Sequence, residues 1–96
     1  MAKKTRSKTG RRRVRFSFRA EPGSRVCVAG TFNGWDPDKT VLRDRTGQGE
    51  YVRQVLLEPG RYEYKFVVNG VWCVDPENPH WVPNEFGTLN SVLDLR

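Results

Sequence analysis

The chain has 96 residues, with 17 Lys or Arg against 11 Asp or Glu and a formal net charge of +6. That length fits one domain and leaves little room for a deep catalytic cavity, because so small a domain buries only about two-thirds of the surface its unfolded chain exposes. Seven bases (Lys3, Lys4, Arg6, Lys8, Arg11, Arg12 and Arg13) lie in residues 1–13 without an acid, so the remainder holds ten bases and eleven acids, a net of −1, which argues against a nucleic-acid function of the domain itself.

Residues 1–12 are polar and lack periodicity; they read as a disordered basic arm, and residues 13–96 as the domain. From Arg13, the apolar Val14, Phe16 and Phe18 alternate with Arg15, Ser17 and Arg19, the period of a half-buried strand. Glu21-Pro22-Gly23 turns the chain into a second strand, Arg25 to Ala29, ending at Gly30. Thr31 to Lys39 is loop-like, with Asn-Gly and Asp-Pro punctuation, and no convincing helix is found anywhere in the chain. Val41-Leu42 is a short strand and Asp44 to Gly49 a polar turn. Tyr51 to Leu57 is a strand, Pro59-Gly60 a turn, and Arg61 to Val68 a strand with Tyr62, Tyr64, Phe66 and Val68 on one side. Asn69-Gly70 is the strongest two-residue hairpin signal in the chain. Val71 to Val74 returns from it. Asp75 to Gly87 is a Pro-rich irregular loop, and Leu89 to Leu95 a last strand. Short strands with frequent turn signals predict an all-β, antiparallel β-sandwich of about seven or eight strands.

The Asn69-Gly70 turn fixes a register. Val68 pairs with Val71, Val67 with Trp72 and Phe66 with Cys73. Side chains alternate across a sheet, so Tyr64, Phe66, Val68, Val71 and Cys73 share the core face, and Lys65, Val67, Trp72 and Val74 the outer one. Trp72 beside Lys65 on an outer face reads either as a cover for the sheet or as a binding platform. Trp35, in a Gly/Asp/Pro-rich loop, reads either as a loop anchor or as its partner. Together they suggest a paired aromatic platform. The C–H face of a glucose ring fits such a surface, and stacking over roughly 100 Å² is worth about 2.5 kcal/mol gross. Lys65 supplies donors for hydroxyls, and Asn90 supplies donors and acceptors.

The residues Val28-Ala-Gly-Thr-Phe-Asn-Gly-Trp35, Gly60-Arg-Tyr-Glu-Tyr-Lys-Phe66, Val68-Asn-Gly-Val-Trp72, Asp75-Pro76 and Phe86-Gly-Thr-Leu-Asn90 stand in the order found in carbohydrate-binding module family 48. The chain resembles this family from about Val14 to Leu95, including its relative, the glycogen-binding domain of the AMP-activated protein kinase beta subunit. The resemblance implies an early-set, immunoglobulin-like sandwich that binds α-1,4-glucan without catalysing a reaction. It implies that Trp35 and Trp72 stack on glucose, that Lys65 and Asn90 bond hydroxyls, and that Thr88 is a polar contact. Phe86 falls where kinase-associated members carry an aliphatic wedge. Gly30, Asn33 and Gly34 shape the loop backbone. Catalysis in the family sits in a separate domain, so a catalytic domain or partner enzyme is an expected companion.

Other constellations are weaker. His80 is the sole His and lies in a loop; with two separated cysteines it gives no zinc spacing. Asp36 and Asp38 lack the further oxygens of a cation cage. No cofactor is implied. Trp81 reads as loop packing more than as a sugar contact. Nothing before Val14 resembles a signal peptide, no segment is long enough to span a membrane, and no membrane partner is expected. Cys27 and Cys73 then read as free thiols in the cytoplasm, with a Cys27–Cys73 disulfide left open. The competing function is a protein-docking module that uses the same aromatic patch.

Overall fold

The structure, a computed structural model, describes residues 10–96. The expected disordered arm therefore lies, over residues 1–9, outside the described residues. Eight antiparallel strands follow: β1 (Arg12–Arg19), β2 (Val26–Gly30), β3 (Arg43–Asp44), β4 (Glu50–Leu57), β5 (Gly60–Val68), β6 (Val71–Cys73), β7 (Trp81–Pro83) and β8 (Leu89–Leu95). The strands β1, β4 and β3 form one sheet in that order; β2, β5, β8 and β7 form the other, with β6 paired to β5. The all-β sandwich predicted from sequence is the observed fold.

The two sheets meet over one aromatic core. Phe16 and Tyr51 come from the three-stranded sheet, and Val26, Val28, Tyr64 and Phe66 from the five-stranded one. Leu42 joins them from the segment that crosses between the sheets. Phe16 meets Tyr64 and Phe66 edge-on, at centroid distances of 5.2 and 6.4 Å, the geometry that aromatic quadrupoles favour.

The Asn69-Gly70 hairpin has the expected register: Val68↔Val71, Val67↔Trp72 and Phe66↔Cys73. Both turn residues are left-handed, φ 50° and 83°, as a two-residue turn of matching twist requires. The strand expected at Val41-Leu42 is a single bridge, Cys27↔Val41, and the regular strand there is Arg43–Asp44. The turn after it is tied by Asp44, whose carboxylate accepts from Gly47 N and Gly49 N. Only a 3-10 turn, Pro37–Lys39, interrupts the Thr31–Lys39 loop.

One segment departs from expectation. The region read as an irregular loop contains β7, paired Trp81↔Ser91, Val82↔Asn90 and Pro83↔Leu89. Proline lacks a donor, so it is tolerated in a strand only at an edge; β7 is the outermost strand of its sheet, with Pro83 as its last residue.

The disulfide left open is excluded by register. Cys27 pairs with Val67, while Cys73 pairs with Phe66. Adjacent residues of β5 face opposite ways, so the two sulfurs lie on opposite faces of the sheet. Both cysteines are free.

Candidate functional site

A discontinuity in the five-stranded sheet creates the site. One edge of β5 pairs with β2, but the other is divided: β8 pairs over Gly60–Tyr64 and β6 over Phe66–Val68. Lys65 stands at the division. The chain leaves β6, runs outward through the Pro-rich segment and comes back as β7 and β8. A groove of about 870 Å³ opens on the outer face beside Lys65. Trp35, Lys65, Trp72, Phe86, Thr88 and Asn90 all line it. Thr31, Glu63, Asn84 and Glu85, which sequence reasoning did not single out, complete the wall.

The polar wall is one hydrogen-bonded chain. Lys65 Nζ donates to Thr88 Oγ1 at 2.9 Å, and Asn84 Nδ2 donates to the same oxygen at 2.7 Å. Asn84 Nδ2 also donates to Asn90 Oδ1 at 3.0 Å. Asn90 Nδ2 donates to Glu63 Oε1 at 3.0 Å, and Arg61 Nη1 to Glu63 Oε2 at 2.9 Å. Asn84 Oδ1 accepts from Phe86 N and Thr88 N, both at 3.0 Å. Those two backbone donors fix the orientation of the Asn84 amide, and Asn84 in turn fixes that of Asn90.

What the wall leaves unspent is what it can offer a ligand. Lys65 is only 9% exposed. Thr88 is its one hydrogen-bond partner, and no carboxylate lies at ion-pair distance, among the described residues. An ammonium has three donors, so two remain. Thr88 Oγ1 accepts twice, which leaves its proton free to donate. Asn90, at 7% exposure, spends one amide N–H on Glu63 and one oxygen lone pair on Asn84, which leaves it one donor and one acceptor. The Asn90 and Arg61 hydrogen bonds hold the Glu63 carboxyl below the usual carboxylate range.

Three rings line the groove on different supports. Trp72 projects from β6 on the outer face and is 44% exposed. Phe86 is 81% exposed, on a loop closed by Asn84 N to Thr88 O at 2.8 Å and Gly87 N to Asn84 O at 3.2 Å. Trp35 is half-buried, packed against the small outer cluster of Cys27, Ala29 and Val67. It therefore anchors its loop and lines the groove at once. Its backbone is left-handed, φ 60°. Trp35 N donates to Gly30 O at 2.9 Å, and Asn33 braces the loop by accepting from Gly30 N and donating to Val28 O and Thr40 Oγ1, each at 3.0 Å. Gly30 allows the crossing of this loop over β5, since a Cβ there would lie 2.6 Å from Glu63 O.

The remaining candidates are accounted for locally. Asp38 pairs with Arg25 at 2.9 Å, and Asp36 caps the 3-10 turn through Asp38 N. Trp81 Nε1 donates to Asn78 O at 3.2 Å, which ties that indole to its own loop. Tyr64 donates to Asp75 Oδ2 at 2.7 Å, and burial pushes its phenol well above the usual range. Among the described residues no cluster of three or more His, Cys, Asp or Glu could hold a metal ion.

The family described as the glycogen recognition site of AMP-activated protein kinase matches residues 12–96. The chain is 40% identical over 76 residues to Protein FLOURY ENDOSPERM 6, chloroplastic, of Oryza sativa subsp. japonica, covering 79% of this chain and 14% of that protein. It is 30% identical over 77 residues to 5'-AMP-activated protein kinase subunit beta-2 of Homo sapiens, covering 80% of this chain and 27% of the subunit. It is 31% identical over 74 residues to subunit beta-1 of Sus scrofa, covering 77% of this chain and 57% of that sequence. The chain thus spans only a minor part of the first two relatives.

Proposed function

Because the chain belongs to the family of the glycogen recognition site of AMP-activated protein kinase, we propose that its outer groove binds α-1,4-linked glucan, as a polymer or as maltooligosaccharide. Glucose rings stack on Trp72 and Trp35, and Phe86 meets the chain from the opposite loop. Lys65 and Thr88 donate to hydroxyls, while Asn90 and Asn84 hold those donors in place. The observation that carries this reading is the buried Lys65, with two ammonium donors unspent, in a groove that Trp35, Trp72 and Phe86 also line. Apolar stacking combined with directional donors matches the amphipathic surface of a pyranose.

The groove is a binding site without a reaction. Glycosidic hydrolysis needs a carboxylic acid whose pKa is raised, held across a cleft from a second carboxylate. Glu63 is the reverse case, bonded to Arg61 and Asn90 and held ionised. We read the module as the targeting part of a larger assembly, beside a catalytic domain or partner enzyme. Its two free thiols favour a reducing compartment such as the cytoplasm.

The test is a titration with maltoheptaose or β-cyclodextrin, followed by tryptophan fluorescence. A saturable change is expected, with little salt dependence, and it should vanish in Trp72→Ala. No saturable change, or an unaltered one in Trp72→Ala, refutes the assignment. Binding of a protein partner through the same patch, without sugar binding, would favour the docking function instead.

A further inference from the structure

The charge of this domain is divided between its two sheets. The strands β1, β3 and β4 carry Arg12, Arg13, Arg15, Arg19, Arg43 and Arg53 against Asp44 and Glu50. The strands of the other sheet are balanced, with Arg61 and Lys65 against Glu63 and Asp94. Cross-strand partners share a face, so the register sorts these residues. Phe16↔Arg53 and Arg12↔Leu57 belong to the inward set. Arg13↔Leu56, Arg15↔Gln54, Ser17↔Val52, Arg19↔Glu50 and Arg43↔Val52 belong to the outward set. The outer face of the three-stranded sheet thus presents four exposed arginines and one carboxylate. Arg15 meets Glu50 only at 3.9 Å, and the other three have no ion-pair partner among the described residues. Leu56, 54% exposed, stands among them.

We propose that this face docks on an anionic phospholipid bilayer, on the side of the sandwich opposite the groove. The shape of the patch favours that partner. The eight-residue strands β1 and β4 run about 26 Å side by side, and the two-residue β3 widens the face at Arg43. The whole sandwich backs them, and it cannot enter a nucleic-acid groove. A single strand of nucleic acid would need aromatic rings to stack on, and this face has none. A charged plane needs only a charged plane opposite it. Guanidinium forks suit phosphate oxygens, their aliphatic stems lie along the sheet, and Leu56 adds apolar contact. The expectation of no membrane partner rested on the lack of a segment long enough to span one, which does not bear on surface docking, and the near-neutral average of residues 14–96 conceals this segregation. A glucan in the groove would then be held away from the lipid surface.

The experiment is co-sedimentation of the full chain with vesicles of phosphatidylcholine plus phosphatidylserine, or of phosphatidylcholine alone. Binding is expected only to the anionic vesicles and is lost at about 1 M salt, where the screening length shrinks to about 3 Å. The combined variant Arg13→Gln, Arg15→Gln, Arg19→Gln, Arg43→Gln should bind about a thousandfold more weakly, and each single change about fivefold. Cooperative unfolding of the combined variant shows that the fold is kept; should it not fold, the single variants decide. Maltoheptaose binding should be unchanged in all of them, which separates this proposal from the groove. Failure of the parent to sediment with anionic vesicles overturns the proposal. So does parent-like sedimentation of the combined variant, which would assign binding to bases other than these four. Tighter binding to duplex DNA than to the vesicles, at matched phosphate, would assign the face to nucleic acid.

Discussion

Replacing Lys65 with Met separates binding from stability, because binding should fall while stability holds or rises. Methionine keeps the length and apolar stem of lysine but removes the charge and all three donors. Lys65 is 9% exposed as a residue, and its ammonium makes one hydrogen bond, to Thr88. Losing that bond from a charged donor costs about 1.5–3 kcal/mol, and relief from desolvating a charge without an ionic partner returns a similar amount or more. Folding free energy should therefore change by less than about 1 kcal/mol, or rise. Sugar binding should fall by about 1.5–3 kcal/mol, the worth of hydrogen bonds from a charged donor, a loss of roughly 10- to 150-fold. Had the side chain been exposed, water would have replaced part of this. The assay pairs urea unfolding with maltoheptaose titration on the same protein. Destabilisation beyond about 2 kcal/mol would make Lys65 a structural residue, and undiminished sugar affinity would remove it from the site.

Trp72→Ala should leave unfolding almost unchanged, since the ring is 44% exposed on the outer face, while binding falls by at least about 1–2 kcal/mol; a large loss of stability would mark the ring as structural. Glu63 has a folded pKa below its unfolded value, so its stabilisation is complete above about pH 4.3 and is lost as the pH falls through the folded pKa. Binding of β-cyclodextrin should accordingly be flat from about pH 5 to 8 and decline only in stronger acid; Glu63→Gln should remove that decline, and a transition near pH 6 would contradict the assignment. Cys27 and Cys73 lie on opposite sheet faces, and burial pushes both thiols up; native protein should react slowly with a thiol reagent, and unfolded protein at both positions without reduction. Mass spectrometry showing an internal disulfide would refute the register argument.

The strand pattern was legible because period-2 alternation and the Asn69-Gly70 turn are local signals. The hairpin alone set Lys65 and Trp72 on the outer face, and the structure keeps them there. What escaped were features made by distant segments. Nothing near Lys65 in sequence announces its burial, which comes from loops near residues 35 and 86. Glu63 was within reach, since it alternates with Lys65 on β5. Asn84 was harder: its role depends on the closure of its loop onto Thr88, and only Asn84-x-x-Gly87-Thr88 hints at it. β7 was hidden by Pro79 and Pro83, which count against a strand until its edge position is known. The near-neutral sum of charges held no trace of their separation between sheets, because separation follows from pairing and not from composition.

Trp35 brings anchoring and recognition into one residue, and its backbone records the cost. Gly34 and Trp35 are both left-handed, φ 70° and 60°. For glycine this is free; for a residue with a Cβ it costs about 1–2 kcal/mol. The fold tolerates the strain because Gly30, Asn33 and the Cys27–Ala29–Val67 cluster fix the loop around the indole, as expected where a site dictates an unfavoured conformation. The strain gives a test with an inverted sign. At an ordinary position glycine is less stable than alanine by about 0.5–1 kcal/mol. At position 35 both substitutions lose the ring and its packing, but only Trp35→Ala keeps the strained Cβ. Trp35→Gly should therefore be as stable as Trp35→Ala, or more stable by up to about 1 kcal/mol, in thermal unfolding. Both should fail to bind maltoheptaose. If Trp35→Ala is clearly the more stable, the loop has relaxed out of its left-handed turn, and the indole is held by its packing alone without stored backbone strain.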